Sequence, residues 1–359
     1  FEAARTNDTT VLSKINLFNE LKYDGRNALS IAVELQNQDA FNFLLPEKGQ
    51  QICNRYSIHY AIEKQNIYFL EKLIDVEGDK QNEIGQTALF MAVSSQWLSG
   101  VQLLKDQKQI LDTNEKLTPF IKAMLLNNIE MCKLLISAVD VPDFQNRHPL
   151  SYVLQSQNID FVKLILQFTK NKDTLLINHI HLISELNTLS LFRQYFGKQN
   201  QRKETALMIL TKSFKKQLSQ SEKHIFSDFM FAEQKLQDQL GKTALVHAIY
   251  NKNIWFTKLL YSTEKKQLDS QQNRAAHHAV LADNIEAVKY LAPLEWNQVN
   301  KSGNTPLKLA IMTGFDAAIV ELLQYDKSEE GQQMLEMSGC LESLREFHFE
   351  NVKDLLKLK

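Results

Sequence analysis

The sequence predicts an all-α protein, a solenoid of paired antiparallel helices with short hairpin fingers. Three observations predict it: a short phrase recurs at nearly constant spacing, apolar residues inside each recurrence follow helical spacing, and threonine, proline and alanine occupy fixed places. The phrase is clearest as GQTALFMAV at 85–93, GKTALVHAI at 241–249 and GNTPLKLAI at 303–311. Repeats of this kind bury their apolar sides only against their neighbours.

The recurrence extends along the whole chain. Neighbouring anchor residues are 27 to 38 residues apart, and most of the gaps are 29 to 31 residues. The anchors are Leu29, Ile58, Leu89, Phe120, Leu150, Ile180, Leu207, Leu245, Ala276, Leu307 and Leu341. A small or apolar residue stands three residues after each anchor, and an apolar pair usually follows about eleven residues further on. This spacing predicts two short amphipathic helices in each unit.

Each position in the phrase has a local physical reason. A threonine at the start of the first helix can accept a hydrogen bond from a backbone N–H that otherwise lacks a partner. These threonines are Thr87, Thr243 and Thr305. Proline fits the first helical turn, where no N–H is needed, and it stands there as Pro119, Pro149 and Pro306. The alanine one turn later allows neighbouring helices to approach closely.

The turn between the two helices of a unit contains a recurring Asn-Ile pair. It begins at Asn66, Asn128, Asn158, Asn253 and Asn284. Asparagine tolerates the left-handed conformation better than other non-glycine residues. We therefore expect the asparagine to adopt this conformation in place of glycine, with the isoleucine packed beneath the turn.

The phrase resembles the ankyrin repeat, whose family pattern is G-x-T-P-L-H-x-A-A followed by a Gly-His turn and V-V-x-L-L. The segments at 301–323 and 239–260 are good copies, and the resemblance covers essentially the whole chain. It implies an ankyrin-repeat solenoid that binds proteins. The units are shorter than the usual 33 residues, which predicts shortened loops.

We predict a single ankyrin-repeat array over residues 1–359, irregular at 173–238. Its units lie near 1–22, 23–51, 52–80, 81–112, 113–140, 141–172, 173–199, 200–238, 239–270, 271–298, 299–330 and 331–359. The sixth full unit lacks the Gly-x-Thr opening, and the next contains seven or eight extra residues. Apolar residues at helical spacing there predict lengthened helices. The insertion is either a binding surface or a seam between two shorter stacks.

Composition excludes several classes of protein. The chain is 44% hydrophobic and 23% charged, with a net charge of −1, so electrostatic binding must come from local patches. Three widely spaced cysteines provide neither a disulfide framework nor a zinc knuckle. No apolar run reaches the roughly 18 residues of a membrane span. We expect a cytoplasmic protein, and because it begins with Phe1 we expect a piece of a longer chain.

The charges are distributed unevenly. Residues 193–223 contain eight basic and two acidic residues, whereas residues 326–350 contain seven acidic and two basic residues. Within this basic centre, Lys212, Lys215 and Lys216 are candidates for binding partners with acidic surfaces, such as tubulin or anionic lipid. Nucleic acid is not expected, since no aromatic stacking platform accompanies the lysines. The alternative is a solvated face without a partner.

The remaining polar residues do not complete a catalytic or metal-binding pattern. The GKT at 241–243 lacks the upstream glycine of a phosphate-binding loop. His59 and His277 fall on the family's Leu-His position, which implies a structural role, and Cys132 is expected to be a buried small hydrophobe. No ligand set is complete, so we predict no metal, no cofactor and no enzymatic activity.

Three tryptophans complete the candidate binding residues. Trp97 lies at a turn, Trp255 begins the second helix of its unit, and Trp296 lies in a finger. An aromatic residue at such places can anchor an interface or cover a gap between neighbours.

The resulting prediction is a non-enzymatic protein-binding scaffold or adaptor, with a place in a cytoskeletal or other large assembly as one specialisation. Two alternatives stay open: the targeting arm of a larger enzyme, such as a kinase or effector, and the cytosolic arm of a membrane protein. The sequence does not indicate an oligomeric state.

Overall fold

The computed structural model describes residues 1–14, 27–50, 55–107, 110–170, 174–183, 186–213, 220–326 and 333. The chain divides into two compact units, Phe1–Lys170 and Asn171–Lys359, called the first and second unit below. Within the described residues the regular structure is helical, and one isolated bridge joins Gln81 and Thr87. The prediction of an all-α fold is confirmed.

The first unit is built from paired helices. They are α1 Glu2–Arg5, α2 Thr9–Leu12, α3 Ala28–Glu34, α4 Gln38–Leu44, α5 Ser57–Glu63, α6 Ile67–Glu77, α7 Ala88–Ser94, α8 Leu98–Leu104, α9 Pro119–Leu125, α10 Ile129–Leu134, α11 Pro149–Ser156 and α12 Ile159–Phe168. Short 3₁₀ helices follow at Leu45–Glu47 and Ile136–Ala138. Odd-numbered helices are the first of a pair and even-numbered helices the second. First helices α3, α5, α7, α9 and α11 pack side by side in chain order.

The second unit continues the same pairing. Its helices are α13 Leu175–His179, α14 Leu186–Leu189, α15 Ala206–Ser213, α16 Gln220–Glu233, α17 Ala244–Tyr250, α18 Ile254–Glu264, α19 Ala275–Leu281, α20 Ile285–Glu295, α21 Pro306–Thr313 and α22 Asp316–Leu322. Helix α15 packs against α17, α17 against α19, and α19 against α21. Two 3₁₀ helices, Ile180–Leu182 and Ser190–Tyr195, lie in the irregular part.

The first helices start as predicted. The Thr87 hydroxyl accepts the N–H of Phe90, and the Thr305 hydroxyl accepts the N–H of Lys308, both at 3.2 Å. Thr243 also occupies the cap position, although its side chain makes no capping bond to the helix. Proline is the first residue of α9, α11 and α21. The alanine five residues after the cap is fully buried at Ala32, Ala61, Ala92, Ala123, Ala248, Ala279 and Ala310.

The turn between paired helices differs from the sequence prediction. The left-handed residue is the one before the recurring asparagine, as at Gln65, with φ 50°, and Lys252, with φ 53°. Asn66 itself has φ −96° and accepts the N–H groups of Tyr68 and Phe69 as the cap of α6. The expectation that these asparagines are left-handed is therefore wrong. The asparagine oxygen satisfies the first-turn amides of the second helix instead.

The same asparagines also join neighbouring repeats. Nδ2 of Asn253 donates to the Thr211 carbonyl at 2.9 Å, and Nδ2 of Asn284 donates to the Ile249 carbonyl at 2.8 Å. Both carbonyls belong to the first helix of the preceding pair. One amide side chain thus caps its own helix and binds the adjacent repeat, which explains why serine or aspartate does not serve equally well there.

The regular finger turns in the described part of the chain start with an aspartate or asparagine. Oδ1 of Asp238 accepts the N–H groups of Leu240 and Lys242 at 2.8 and 2.9 Å. Between them Gly241 has φ 77°, the left-handed conformation that glycine adopts readily in a tight turn. The same pair of bonds is made by Asn82, Asp143, Asn200, Asp269 and Asn300. The side chain thereby holds the turn that places each finger.

A buried glutamate near the end of several second helices forms what we call the carboxylate bridge. Oε2 of Glu264 accepts the N–H of Leu245, in the first turn of α17, at 2.8 Å, and Oε1 accepts the N–H of Lys235, in the preceding loop, at 3.3 Å. Glu77 and Glu233 make equivalent pairs of bonds. Burial raises the pKa of all three carboxyl groups, that of Glu233 to about 7.

The region predicted to be irregular departs from the pattern. Helices α13 and α14 have five and four residues and continue into the 3₁₀ helices, whereas α16 has fourteen. The long α16 agrees with the predicted lengthening, and its Phe226 and Phe229 are buried. Phe214 and Leu218, two of the apolar residues at helical spacing on which the predicted lengthening rests, lie outside the described residues.

Candidate functional site

The finger turns form the candidate binding surface of each unit because they stack and present side chains to solvent. In the second unit, the Lys301 N–H donates to the Gln271 carbonyl at 2.9 Å, and the Gln239 N–H donates to the Arg202 carbonyl at 3.1 Å. Fingers 200–204, 238–242, 269–273 and 300–304, with the last turns of the first helices beside them, are called the finger face of the second unit.

The exposed charged side chains of this finger face are basic. Arg202, Lys203, Lys212 and Lys301 are exposed, and Lys242 is half-buried. Nζ of Lys242 lies 4.1 Å from the centroid of the Tyr250 ring, in the last turn of α17. This contact shows that the last turn of the helix and the adjacent finger share one surface.

The finger aspartates point toward their own helices rather than toward solvent. Oδ2 of Asp238 lies 2.9 Å from Nε2 of His247, and the Asp238 side chain is only 8% exposed. Oδ2 of Asp269 lies 3.4 Å from Nε2 of His278, and its side chain is 10% exposed. The negative charges are therefore withdrawn while the basic side chains remain exposed.

The two members of the Asp269–His278 pair titrate well away from neutral pH. Burial lowers the pKa of His278 to about 4, although the charge of Asp269 opposes this shift. Burial alone would raise the pKa of Asp269, but hydrogen bonds from Asn273 bring it below its ordinary value. Near pH 7 the pair consists of a neutral imidazole and a carboxylate.

The predicted basic centre is only partly within the described residues. Lys212 lies in the last turn of α15 and is exposed. Lys215 and Lys216 lie outside the described residues, as do most of the predicted acidic residues of 326–350.

The three tryptophans lie at separate places and are all half-buried. Trp97 caps α8, and a Cβ added to Gly100 would stand 2.2 Å from its ring, so the indole covers this glycine. The Trp255 ring lies 4.8 Å from that of Phe256 and 6.0 Å from that of Phe226. Trp296 follows α20. Their role as interface anchors stays a prediction.

The histidines at the Leu-His position are structural. Nδ1 of His59 accepts the Tyr56 N–H at 3.0 Å, and Nε2 faces the Lys80 carbonyl of the next finger at 3.3 Å. Nδ1 of His277 accepts the Arg274 N–H at 3.2 Å, and its Nε2 lies 2.9 Å from a carbonyl of the following finger. Burial lowers the pKa of both, that of His59 to about 4.

Two other features of chemical interest lie in the first unit. Cys132 is buried as predicted, and burial raises the pKa of its thiol to about 12. An open groove of about 850 Å³ crosses α6, α8 and α10, with Ile67, Leu98 and Leu134 in its lining. Among the described residues of both units, no group of three or more His, Cys, Asp and Glu side chains could hold a metal ion.

Sequence reasoning missed an apolar part of the finger face. Tyr250, Leu281 and Met312 are exposed apolar residues in the last turns of α17, α19 and α21. Their equal distance from the helix caps, visible once the repeats are aligned, was the available signal.

No helix in the described part of the chain has both the length and the apolar character needed to cross a bilayer.

The geometry defines a protein of stacked helix pairs with fingers between them. In comparisons with known proteins, the family model for ankyrin repeats matches residues 58–145, 216–295 and 256–333, together more than half of the chain. The chain therefore belongs to the ankyrin repeat family. A comparison with curated proteins found no match.

Proposed function

We propose that the protein is a non-enzymatic scaffold or adaptor that binds a protein partner with an acidic surface on the finger face of the second unit. Ankyrin repeats mediate protein–protein interaction, which supports the general function. The observation that carries the specific proposal is the separation of charge: Lys203, Lys212 and Lys301 are exposed, whereas Asp238 and Asp269 are bonded inward. Such a face attracts acidic partners and accelerates their encounter.

The proposal includes a cytoplasmic location and membership of a cytoskeletal or other large assembly. The few, widely spaced cysteines support the location, and the length of the array together with its basic centre supports the assembly.

Charge reversal tests the proposal. In the variant, Lys212, Lys215 and Lys216 are changed to glutamate, and bound proteins are quantified by affinity chromatography at low and physiological salt. We expect acidic partners to bind about tenfold or more weakly, because three cations of the basic centre become anions.

A matched variant controls for total charge. Lys64, Lys80 and Lys116 are exposed lysines of the first unit, and changing them to glutamate alters the net charge by the same amount. This variant should keep the partners of the wild-type protein. Recovery of the same proteins by both variants, with unchanged salt sensitivity, would contradict the proposal.

A further inference from the structure

Three exposed apolar side chains lie at one register on consecutive first helices of the second unit. Tyr250, Leu281 and Met312 each stand seven residues after the cap of their helix, and they are 39%, 42% and 63% exposed. Helix α17 packs against α19, and α19 packs against α21. The three side chains therefore form a row, called the apolar stripe below, with one member per repeat.

The surroundings of the apolar stripe are basic at its Tyr250 end, whereas the exposed Asp283 follows Leu281. Lys212 occupies the same register on α15 and is exposed, and Lys242 lies over the Tyr250 ring. The aspartates of the two neighbouring fingers are directed toward His247 and His278. A partner segment on this stripe would therefore meet apolar contacts and positive charge together.

The fold does not require apolar residues at this register. In the first unit the corresponding residues are Glu34, Glu63, Ser94, Leu125 and Gln155. Four of these five are polar although they occupy the same helical position. The apolar stripe is thus a property of the second unit and not a by-product of repeat packing.

The width and spacing of the apolar stripe restrict the shape of its partner. Its neighbours one residue along each helix are Asn251, Ala282 and Thr313, so the last turns of these helices contribute a single row of large apolar side chains. An amphipathic helix presents a broader apolar face of about 100°. Packed helices lie about 8–10 Å apart, and a polyproline II segment advances about 9 Å in each three-residue turn. Every third residue of such a segment therefore matches the spacing of the apolar stripe.

We propose that the apolar stripe binds an acidic partner segment in the polyproline II conformation, with an apolar residue at every third position and acidic residues between them. This inference rests on the proposed function, because it specifies the partner of the same finger face. Each apolar side chain of the segment contacts one repeat, while its carboxylates lie near Lys212 and Lys242.

The test measures binding of synthetic peptides to the full chain by fluorescence anisotropy. The main probe has four Leu-Glu-Pro repeats; the comparison probes are a shuffled peptide of the same composition, one with four Leu-Lys-Pro repeats, and a helical Glu/Ala peptide with leucine at every seventh position. We expect the Leu-Glu-Pro peptide to bind at least about tenfold more tightly than each of the others.

Two variants locate the binding. Changing both Leu281 and Met312 to serine should weaken the Leu-Glu-Pro peptide about tenfold or more, since two buried apolar contacts are lost. Changing Leu125, the exposed leucine of the same register in the first unit, to serine should leave binding unchanged. All three side chains are exposed, so the fold is retained, and circular dichroism verifies this.

The outcomes separate this inference from the proposed function. Suppose that the regular and shuffled acidic peptides bind with equal affinity, and that the glutamate variant of Lys212, Lys215 and Lys216 binds both more weakly. The inference about the apolar stripe is then overturned, while the proposed function stands. Tighter binding of the helical peptide, or an unchanged affinity in the Leu281 and Met312 variant, also overturns it. Absence of salt-sensitive binding of any acidic peptide contradicts both proposals.

Discussion

The two units build their fingers alike but treat the charges of those fingers differently. In the first unit, finger and helix charges neutralise one another, as Lys122 does with Glu115 at 2.7 Å and Arg147 does with Asp143 at 2.8 Å. In the second unit, a finger aspartate instead faces a histidine that is neutral near pH 7, as Asp269 faces His278. Finger carboxylates are buried in both units, and the Asp143 side chain is 1% exposed, so the units differ in the partner of the carboxylate and not in its burial.

This comparison separates what the repeat needs from what a partner needs. The helix caps, the finger turns and the carboxylate bridge occur in both units and hold the backbone. The exposed charges and the apolar stripe differ between units and contribute little to the fold. The predictions below test whether this division holds.

Loss of the carboxylate bridge should have the largest effect, and an equal one in both units. Changing Glu264 to alanine leaves the N–H groups of Leu245 and Lys235 without an acceptor, as Glu77→Ala does for Ile58 and Gly49. We expect the free energy of unfolding in urea to fall by about 2–4 kcal/mol in each variant. A loss below about 1 kcal/mol in either unit would show that the bridge is not a shared device.

The structural histidines should make stability depend on pH in the same direction in both units. The pKa of His59 is lowered to about 4 in the folded protein, so its contribution is present above the unfolded pKa of about 6.5 and is lost as the pH falls. Between pH 7.5 and pH 5, the stability advantage of the wild-type protein over His59→Gln should shrink by about 2 kcal/mol in urea unfolding.

His277 provides the matched measurement in the second unit, because burial lowers its pKa too and both ring nitrogens have similar partners. The stability advantage of the wild-type protein over His277→Gln should likewise shrink between pH 7.5 and pH 5. A stability advantage that grows toward pH 5 in either case would contradict the assigned bonds.

Two finger glycines distinguish backbone strain from crowding. Gly85 and Gly303 have φ 80° and 74°, but a Cβ at Gly85 would stand 1.6 Å from Oγ1 of Thr113, whereas none of the structure's atoms lies within 4 Å at Gly303. Gly303→Ala should cost about 1 kcal/mol from the left-handed conformation alone. Gly85→Ala should cost about 1–2 kcal/mol more, because Thr113 must move. The melting temperatures of the two variants measure the difference. Equal decreases would show that Thr113 moves without cost and that crowding at Gly85 does not affect stability.

The asparagine caps include the smallest expected effect, that of a change at Asn158. Asn284→Asp removes the buried bond to the Ile249 carbonyl and should cost about 1–2 kcal/mol. Asn158 donates instead to the exposed Asn127 side chain, and its change to aspartate should be nearly neutral, since aspartate caps a helix equally well. Chemical denaturation of both variants measures the difference. If Asn284→Asp leaves the stability unchanged, the Asn284 side chain does not stabilise the contact between repeats.

The fold was predictable from sequence because its signals are repeated and local. Threonine caps, first-turn prolines and buried alanines each have a single physical reason, so their recurrence along the chain reinforces the prediction. The asparagine turn was misread because asparagine suits both a left-handed residue and a helix cap, and these two positions are adjacent, as at Gln65 and Asn66. A pattern without coordinates does not resolve a shift of one residue.

The candidate site was less predictable. The basic centre was visible as a count of charges, but whether a charge faces solvent depends on partners nine residues away, such as His247 for Asp238. The apolar stripe escaped notice because an apolar residue near a helix end resembles core. Trp97 drew attention as an aromatic residue at a turn, yet it covers Gly100 of its own helix.

The carboxylate bridge also determines which repeats could be exchanged in a chimera. An acid stands eleven residues after the second-helix cap in the repeats of Glu77, Glu264 and Glu295, whereas Val139 occupies that position after Asn128. Transplanting the Glu77 repeat into the place of the Glu264 repeat would keep the loop amide of the preceding host repeat, that of Lys235, satisfied. The Val139-type repeat would leave that loop amide without its carboxylate acceptor, so the modules of this array form at least two non-interchangeable sets.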